Sequence, residues 1–225
     1  MKIRIIGLGG IGSILCEKIS RFVNQAGPCE IYLIDGDEFE EKNRSRQEFV
    51  NFGNKANVKM AELTRKFDNV TFYSIPTYIN ELTIKECIEE DDVIFLCVDN
   101  HKTRKLVSEY VDTLTNATLI SGGNEYTDGN VQIYIRREGI KQTPSLTDYH
   151  PEIQDPDDKR PDEMSCEELS KSEPQLFFTN LGVSTIMCWA FYNIIVNDLS
   201  QIERPSEIYF DIKTMCSDAK FRKVN

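Results

Sequence analysis

Short apolar runs alternate with amphipathic stretches along the first half of this chain. The runs Ile3–Ile6, Glu30–Ile34, Thr71–Ser74 and Val93–Val98 have the length and aliphatic content of strands buried on both faces. Between them, Ile11 to about Gln25, Lys55–Lys66, Thr83–Glu89 and Lys102–Leu114 are expected to be helices. Such alternation predicts an α/β fold, Rossmann-like and doubly wound, around a mostly parallel sheet. After Leu119–Ser121 the pattern changes. Asn130–Ile135 alternates, with Val131, Ile133 and Ile135 on one face, which predicts a later strand and a sheet that turns mixed.

From about Glu138 to Pro174 the chain becomes polar, acidic and proline-rich, holding five of its eight prolines. A loop of that length inside one domain is rare unless it is functional or mobile. It is expected here as a mobile crossover loop within a single domain spanning residues 1–225. Leu176–Asn197 follows and carries no charge. It is long enough to span a bilayer, but Thr179, Asn180, Ser184, Thr185 and Asn193 interrupt it and charges flank it. A buried central or interface helix is the better reading, and no membrane association is expected. A strand at Glu207–Ile212 and a terminal strand or tail around Lys220–Val224 complete the pattern.

Composition narrows the chemistry. A chain of 225 residues can bury roughly 70% of its unfolded surface, so it needs no metal or disulfide to hold it together. The net charge of −11 argues against a protein that coats nucleic-acid phosphates. Seven cysteines, with no pair at two-residue spacing, fit free thiols in a reducing cytoplasm and leave no paired-cysteine zinc site. The first strand begins at once, so no leader segment is expected ahead of the fold.

Five separated pieces then combine into one nucleotide-handling site. Gly7-Leu8-Gly9-Gly10-Ile11-Gly12 follows a strand and opens a helix, the setting in which backbone N–H groups meet phosphate. Asp35, at the end of the second strand and 23 residues beyond Gly12, stands where an acid can take ribose hydroxyls. Dinucleotide dehydrogenases share both features, and Asp37 with Glu38 can simply solvate the next turn, but such enzymes have no reason to follow this acid with Asn43, Arg46, Gln47 and Lys55. Two cations and a neutral amide near the phosphates suit an α-phosphate becoming a five-coordinate centre. Lys59, one turn along the same helix, is the substitute for Lys55. Asp99 and Asn100 lie just past the strand Val93–Val98, at the carboxyl edge of the sheet, where Asp99 can hold Mg²⁺ with ATP oxygens or can cap the next helix. Arg104 reads as a tie between that helix and this loop. Together these residues describe a site that binds ATP and can activate a carboxylate.

These motifs resemble the ThiF/MoeB family, which includes the adenylation domains of ubiquitin-activating enzymes. Gly-x-Gly-Gly-Ile-Gly, Asp35-x-Asp37 through Asn43 to Arg46-Gln47, Lys55-Ala56, Val98-Asp99-Asn100 and Ser121-Gly122-Gly123 carry the likeness, from Lys2 to about Ile135 and weakly through the 176–197 helix. The resemblance implies an ATP- and Mg²⁺-dependent adenylyltransferase, usually a homodimer. Its implied substrate is a small ubiquitin-like or sulfur-carrier protein with a C-terminal glycine. It further implies that Gly7, Gly9, Gly10 and Gly12 form the nucleotide turn and that Asp35 and Asp37 serve the ribose side. Asn43, Arg46 and Lys55 are implied at the phosphates, Asp99 on the metal with Asn100 beside it, and Cys166 as the acyl acceptor in the crossover loop. The sequence departs from many relatives in lacking both the Cys-x-x-Cys zinc pairs and the N-terminal helix that sends an arginine into the partner. Other readings stay open: adenylation of another carboxylate or an RNA base, and a nucleotide-binding scaffold without turnover.

Overall fold

Strands that are apolar on both faces need cover on both sides, and the fold supplies it. The computed structural model describes residues 1–164, 175–195 and 204–224. Strands β1 (Lys2–Ile6), β2 (Cys29–Ile34), β5 (Val70–Ile75), β6 (Val93–Leu96) and β7 (Ala117–Asn124) pair in parallel in the order β7-β6-β1-β2-β5. The sheet then turns antiparallel through β8 (Asp128–Arg137), β10 (Glu207–Asp211) and β11 (Cys216–Lys220), as the change of pattern after Ser121 predicts. Two short strands, β3 (Glu38–Phe39) and β4 (Gly53–Asn54), form a separate antiparallel pair, and β9 (Ile140–Lys141) adds to β8.

Neighbouring side chains of each strand serve opposite cores. Ile3 and Ile5 of β1 face a core shared with α1 (Gly10–Ala26), α2 (Lys55–Thr64) and the late helix α6 (Phe177–Ile195). Ile6 faces the other core, under α3 (Ile84–Cys87) and α4 (His101–Val111). Arg4 also points that way. It is buried against Asp92 at 2.8 Å, with its guanidinium 3.8 Å from the centre of the Tyr32 ring. A charge removed from water survives only when paired this way.

Four of the boundaries that differ from the pattern have a local reason. The strand at Val93 stops at Leu96, because the Val98 carbonyl is taken by Arg104 at 2.6 Å. The helix expected over Thr83–Glu89 shortens to Ile84–Cys87, since the Glu89 N–H is captured by the Asp92 carboxylate. The helix expected from Lys102 starts at His101, where Asn100 caps it by accepting from Thr103 N–H at 2.8 Å. The terminal strand lies earlier than Lys220–Val224, in a hairpin with β10 that turns at Met215, whose φ is 55°.

The late helix is Phe177–Ile195, close to the uncharged stretch that predicts it, and no described helix is long and apolar enough to cross a membrane. It presses onto β7 and β8 because Gly122 has no side chain there. A methyl at that position would lie 2.5 Å from the Met187 sulfur and 2.6 Å from Val183.

Residues 138–164 carry β9, a short helix α5 (Pro151–Gln154) and a 3-10 turn at Pro161–Glu163. His150 fastens this excursion to the sheet, reaching Glu207 of β10 at 2.6 Å and Glu152 at 2.7 Å, while Arg222 approaches Glu207 from the other side at 3.1 Å. Burial lowers the His150 imidazole, but the hydrogen bonds with Glu207 and Glu152 outweigh it and raise the group above the ordinary histidine value. Burial likewise pushes Glu207 up, yet its bonds with His150, Tyr209 and Arg222 bring it down to about 2. The histidine contribution is therefore complete below the unfolded value of about 6.5. It is lost as pH rises through the elevated folded value, and the Glu207 contribution is lost only as pH falls through about 2. His150→Gln should cost about 1–2 kcal/mol at acidic pH near 5.5 and clearly less near pH 9, read from urea midpoints. An equal cost at both pH values would show that the imidazolium is not what holds the excursion.

Candidate functional site

The site begins where β1 runs into α1. Gly7 adopts φ 84°, and its N–H donates to the Ile34 carbonyl at 2.9 Å. This left-handed turn lets the chain enter α1 directly at Gly10, with no side chain capping the helix. The positive end of a 17-residue helix thus stands without a side-chain cap, an arrangement suited to an anion.

Asp35 holds this turn in place. It follows the last residue of β2 and is 8% exposed. One carboxylate oxygen accepts from Leu8 N–H at 2.6 Å and the other from Asp37 N–H at 2.8 Å. Burial raises its carboxyl above the usual carboxylate range, against the pull of Lys55 and the two backbone donors. Lys55, the first residue of α2, points back to Asp37 at 2.8 Å with a side chain only 6% exposed. Asn54 makes this possible. It caps α2 by accepting from Asn57 N–H, and its amide donates to the carbonyls of Asp35 and Asp37, each at 3.1 Å. Burial lowers the Lys55 ammonium, but Asp35 and Asp37 outweigh it and hold its value above normal. Burial pushes Asp37 up, and Lys55 with the Tyr78 hydroxyl brings it below the usual range.

Arg46 comes from the loop between β3 and β4. It is oriented by Asn43 at 3.1 Å and by Gln175, 129 positions away in the chain, at 2.8 Å. Burial lowers its guanidinium, and Asp99 pulls the other way. Asp99 itself is exposed, and no hydrogen bond or ion pair engages its carboxylate among the described residues.

A cleft of about 1260 Å³ joins these groups, with Gly7, Gly9, Gly10, Asp35, Asp37, Asn43, Arg46, Lys55, Asp99 and Asn100 all on its wall. Gly12 is buried in the first turn of α1 and does not line the cleft. Asn100 lines it, but its side-chain oxygen is spent on the helix cap. Arg104 ties α4 to the sheet, donating to Ser121 at 2.7 Å and to the carbonyls of Val98 and Gly122. Lys59 points away from the cleft toward Glu62 at 2.9 Å, with its ammonium 4.4 Å from the Phe49 ring centre, so it does not stand in for Lys55. Cys166 lies outside the described residues.

The sequence profile of the ThiF family matches residues 1–216. The chain belongs to the ThiF family. This is a family of adenylating enzymes, and the fold agrees with its solved structures. E. coli MccB crystallised with ATP superposes with a TM-score of 0.75 at 19% identity, over 98% of this chain and 63% of that one. The same E. coli enzyme with AMPCPP and selenomethionine MccA gives 0.76 at 19% identity, over 100% and 64%. PaaA gives 0.71 at 16% identity, over 99% and 64%. The ThiF-family chain thus spans about 63% of the length of the MccB chain it matches. No curated protein matches its sequence.

Three site groups carry no motif in this ThiF-family sequence. Gln175, Tyr78 and Asn180 enter the cleft from segments distant from the glycine turn, and only the folded sheet brings them there. Asp35 is the residue on which the site geometry depends most. Asp35→Ala should lower stability by about 2–3 kcal/mol in urea unfolding, because two backbone N–H groups lose a charged acceptor. Unchanged stability would mean that the turn and the Asp37 loop hold their places without it.

Proposed function

We propose that this chain uses Mg-ATP to adenylate the C-terminal carboxylate of a small polypeptide, with a ubiquitin-like or sulfur-carrier protein ending in glycine as the preferred class. The observation that carries this reading is the meeting of Arg46, Lys55 and Asp99 with the open N-terminus of α1 in one cleft. A carboxylate oxygen attacks the α-phosphorus, a new P–O bond forms, and the bond to the β-phosphate oxygen breaks to release pyrophosphate. The protein contributes position and charge neutralisation, with no proton to remove from an ionised carboxylate. MccB crystallised with ATP and with N-formylated MccA supports both halves of the reading by analogy of fold.

The donor set also fits a magnesium ion. Mg²⁺ keeps several waters and needs only one or two protein carboxylates beside substrate phosphates. Asp99 offers one, exposed and unengaged, while the carboxylates of Asp35 and Asp37 are already bound by N–H groups and by Lys55. When bound there, the ion would offset phosphate charge. No cluster of three ligating side chains occurs among the described residues, as such a water-rich site does not require one.

Arg46→Ala and Asp99→Ala should each lower ATP–pyrophosphate exchange about 10²–10³-fold while the fold persists by circular dichroism. The assay supplies ATP, labelled pyrophosphate and a small ubiquitin-like protein ending in Gly-Gly. Exchange at the wild-type rate in both variants would remove these residues from the adenylation site, and no exchange by the folded wild type would leave a nucleotide-binding scaffold. We further propose thioester transfer to Cys166, on its place in the sequence just before α6.

A homodimer is proposed on the exposed aromatic face of α6 and α1. Trp189 is 61% exposed, Tyr192 46% and Phe22 39%, and Phe22 packs edge-on to Tyr192 at 6.0 Å. Aromatic area of this kind marks interfaces. Light scattering at micromolar concentration should give twice the chain mass, and Trp189→Glu should reduce it to one. A monomer in the wild type would assign this face to another role.

A further inference from the structure

Asn180, in the first turn of α6, has no part in the chemistry derived so far. It is 0% exposed, it lines the cleft, and neither its Nδ2 nor its Oδ1 has a hydrogen-bond partner among the described residues. Its amide rests on the glycine turn. A methyl on Gly10 would lie 2.2 Å from Nδ2 and 2.8 Å from Oδ1, so Gly10 leaves room for this side chain. Buried amides almost always find partners, and one left with both ends idle is destabilising unless a ligand completes it.

We propose that Asn180 grips the main chain of the substrate's last residue. Its Oδ1 accepts from that residue's N–H and its Nδ2 donates to the carboxyl oxygen. This rests on the adenylation reading and makes it specific.

The first argument is one of place. Asp35 follows β2, on one side of β1, whereas α6 packs over β7 and β8, on the other side. An α-phosphate at the N-terminus of α1 therefore has the ribose end of the cleft on one flank and Asn180 on the opposite one. The acyl donor must approach from the flank that the ribose leaves free. The cleft continues on that side to Tyr126, Gln132 and Tyr209, which leaves room for the residues preceding the terminus.

The second argument is one of chemistry. An amide presents one donor and one acceptor side by side, the same pair that an extended peptide residue presents. Phosphate or carboxylate oxygens alone would satisfy Nδ2 and leave Oδ1 idle. A terminal residue with an N–H and a carboxyl oxygen satisfies both. The substrate class that follows is a polypeptide with a free α-carboxylate whose last residue carries an N–H. A chain ending in proline or in an N-methylated residue would be rejected, whatever its side chains.

Stable acyl sulfamates test this without knowing the natural partner. N-acetylglycyl sulfamoyl adenosine presents the N–H, and N-acetylsarcosyl sulfamoyl adenosine replaces it with a methyl. Affinities of both, each as a ratio to that of AMP, would be measured by calorimetry for wild type, Asn180→Ala and Asn180→Leu. The methyl removes one hydrogen bond and leaves Oδ1 buried and unpaired, which corresponds to about tenfold in affinity. Wild type should prefer the glycyl probe by that factor, and the variants should prefer it by less than about twofold. Removing the idle amide should also leave the thermal midpoint of the ligand-free chain unchanged or raised by about 2–4 °C. Equal binding of the two probes by wild type overturns the assignment, as does undiminished preference in both variants. A lowered midpoint with the preference intact would make Asn180 a packing residue. Failure of the folded wild type to bind AMP or either probe would instead overturn adenylation itself.

Discussion

The Asp35 carboxylate is the constraint from which the rest of the site follows. Its two oxygens take backbone N–H groups from the glycine turn and from the Asp37 loop, so two separate pieces of chain share one buried acceptor. Burying that charge is costly, and burial raises its pKa accordingly. Lys55 answers the cost from the start of α2, and Asn54 sets where α2 starts by bridging the same loop. The pieces are coupled: moving the carboxylate would shift the phosphate turn, the lysine and the helix that carries it together.

The same coupling governs how a nucleotide can enter. In the ligand-free chain the Lys55 ammonium is already paired with Asp37, while Arg46 is held by two neutral side chains, Asn43 and Gln175. Charges about 4 Å apart near a protein surface interact by about 4 kcal/mol at an effective dielectric of 20. A phosphate reaching Lys55 therefore competes with an existing partner, whereas one reaching Arg46 meets a guanidinium whose charged neighbour among the described residues is Asp99 at longer range. Of these two cations, Arg46 is the less committed to a carboxylate among the described residues.

How much was legible in the sequence follows from which contacts are local. The glycine turn, Asp35 and Lys55 stand at strand ends and helix starts, whose positions hydrophobic periodicity already marks. Tyr78, Gln175 and Asn180 reach the cleft only because the sheet order brings their segments together, and no spacing announces that. Gln175 meets Arg46 across 129 positions. Boundaries failed where a side chain captured a backbone group, as Asp92 does at Glu89 and Arg104 at Val98. The terminal strand, expected around Lys220–Val224, lies at Cys216–Lys220, where the side chains are almost all exposed and polar, so pairing with β10, not burial, makes it a strand.

The cysteines show how structure sharpens a choice that spacing leaves open. Burial pushes the Cys16 thiol up to about 12, and Cys87 and Cys188 up to about 11. Cys29 is raised for the same reason, and Cys97, although on the cleft wall, is raised most strongly despite Arg104 nearby. A thiol that high holds almost no thiolate at neutral pH and makes a poor acyl acceptor. Cys216 is exposed but sits on the outermost strand, away from the cleft wall. Acyl transfer to a cysteine of this chain thus requires a thiol that is both free of burial and carried to the adenylate. Among the described residues none meets both conditions, which leaves Cys166, outside them, as the residue on which that step has to be tried.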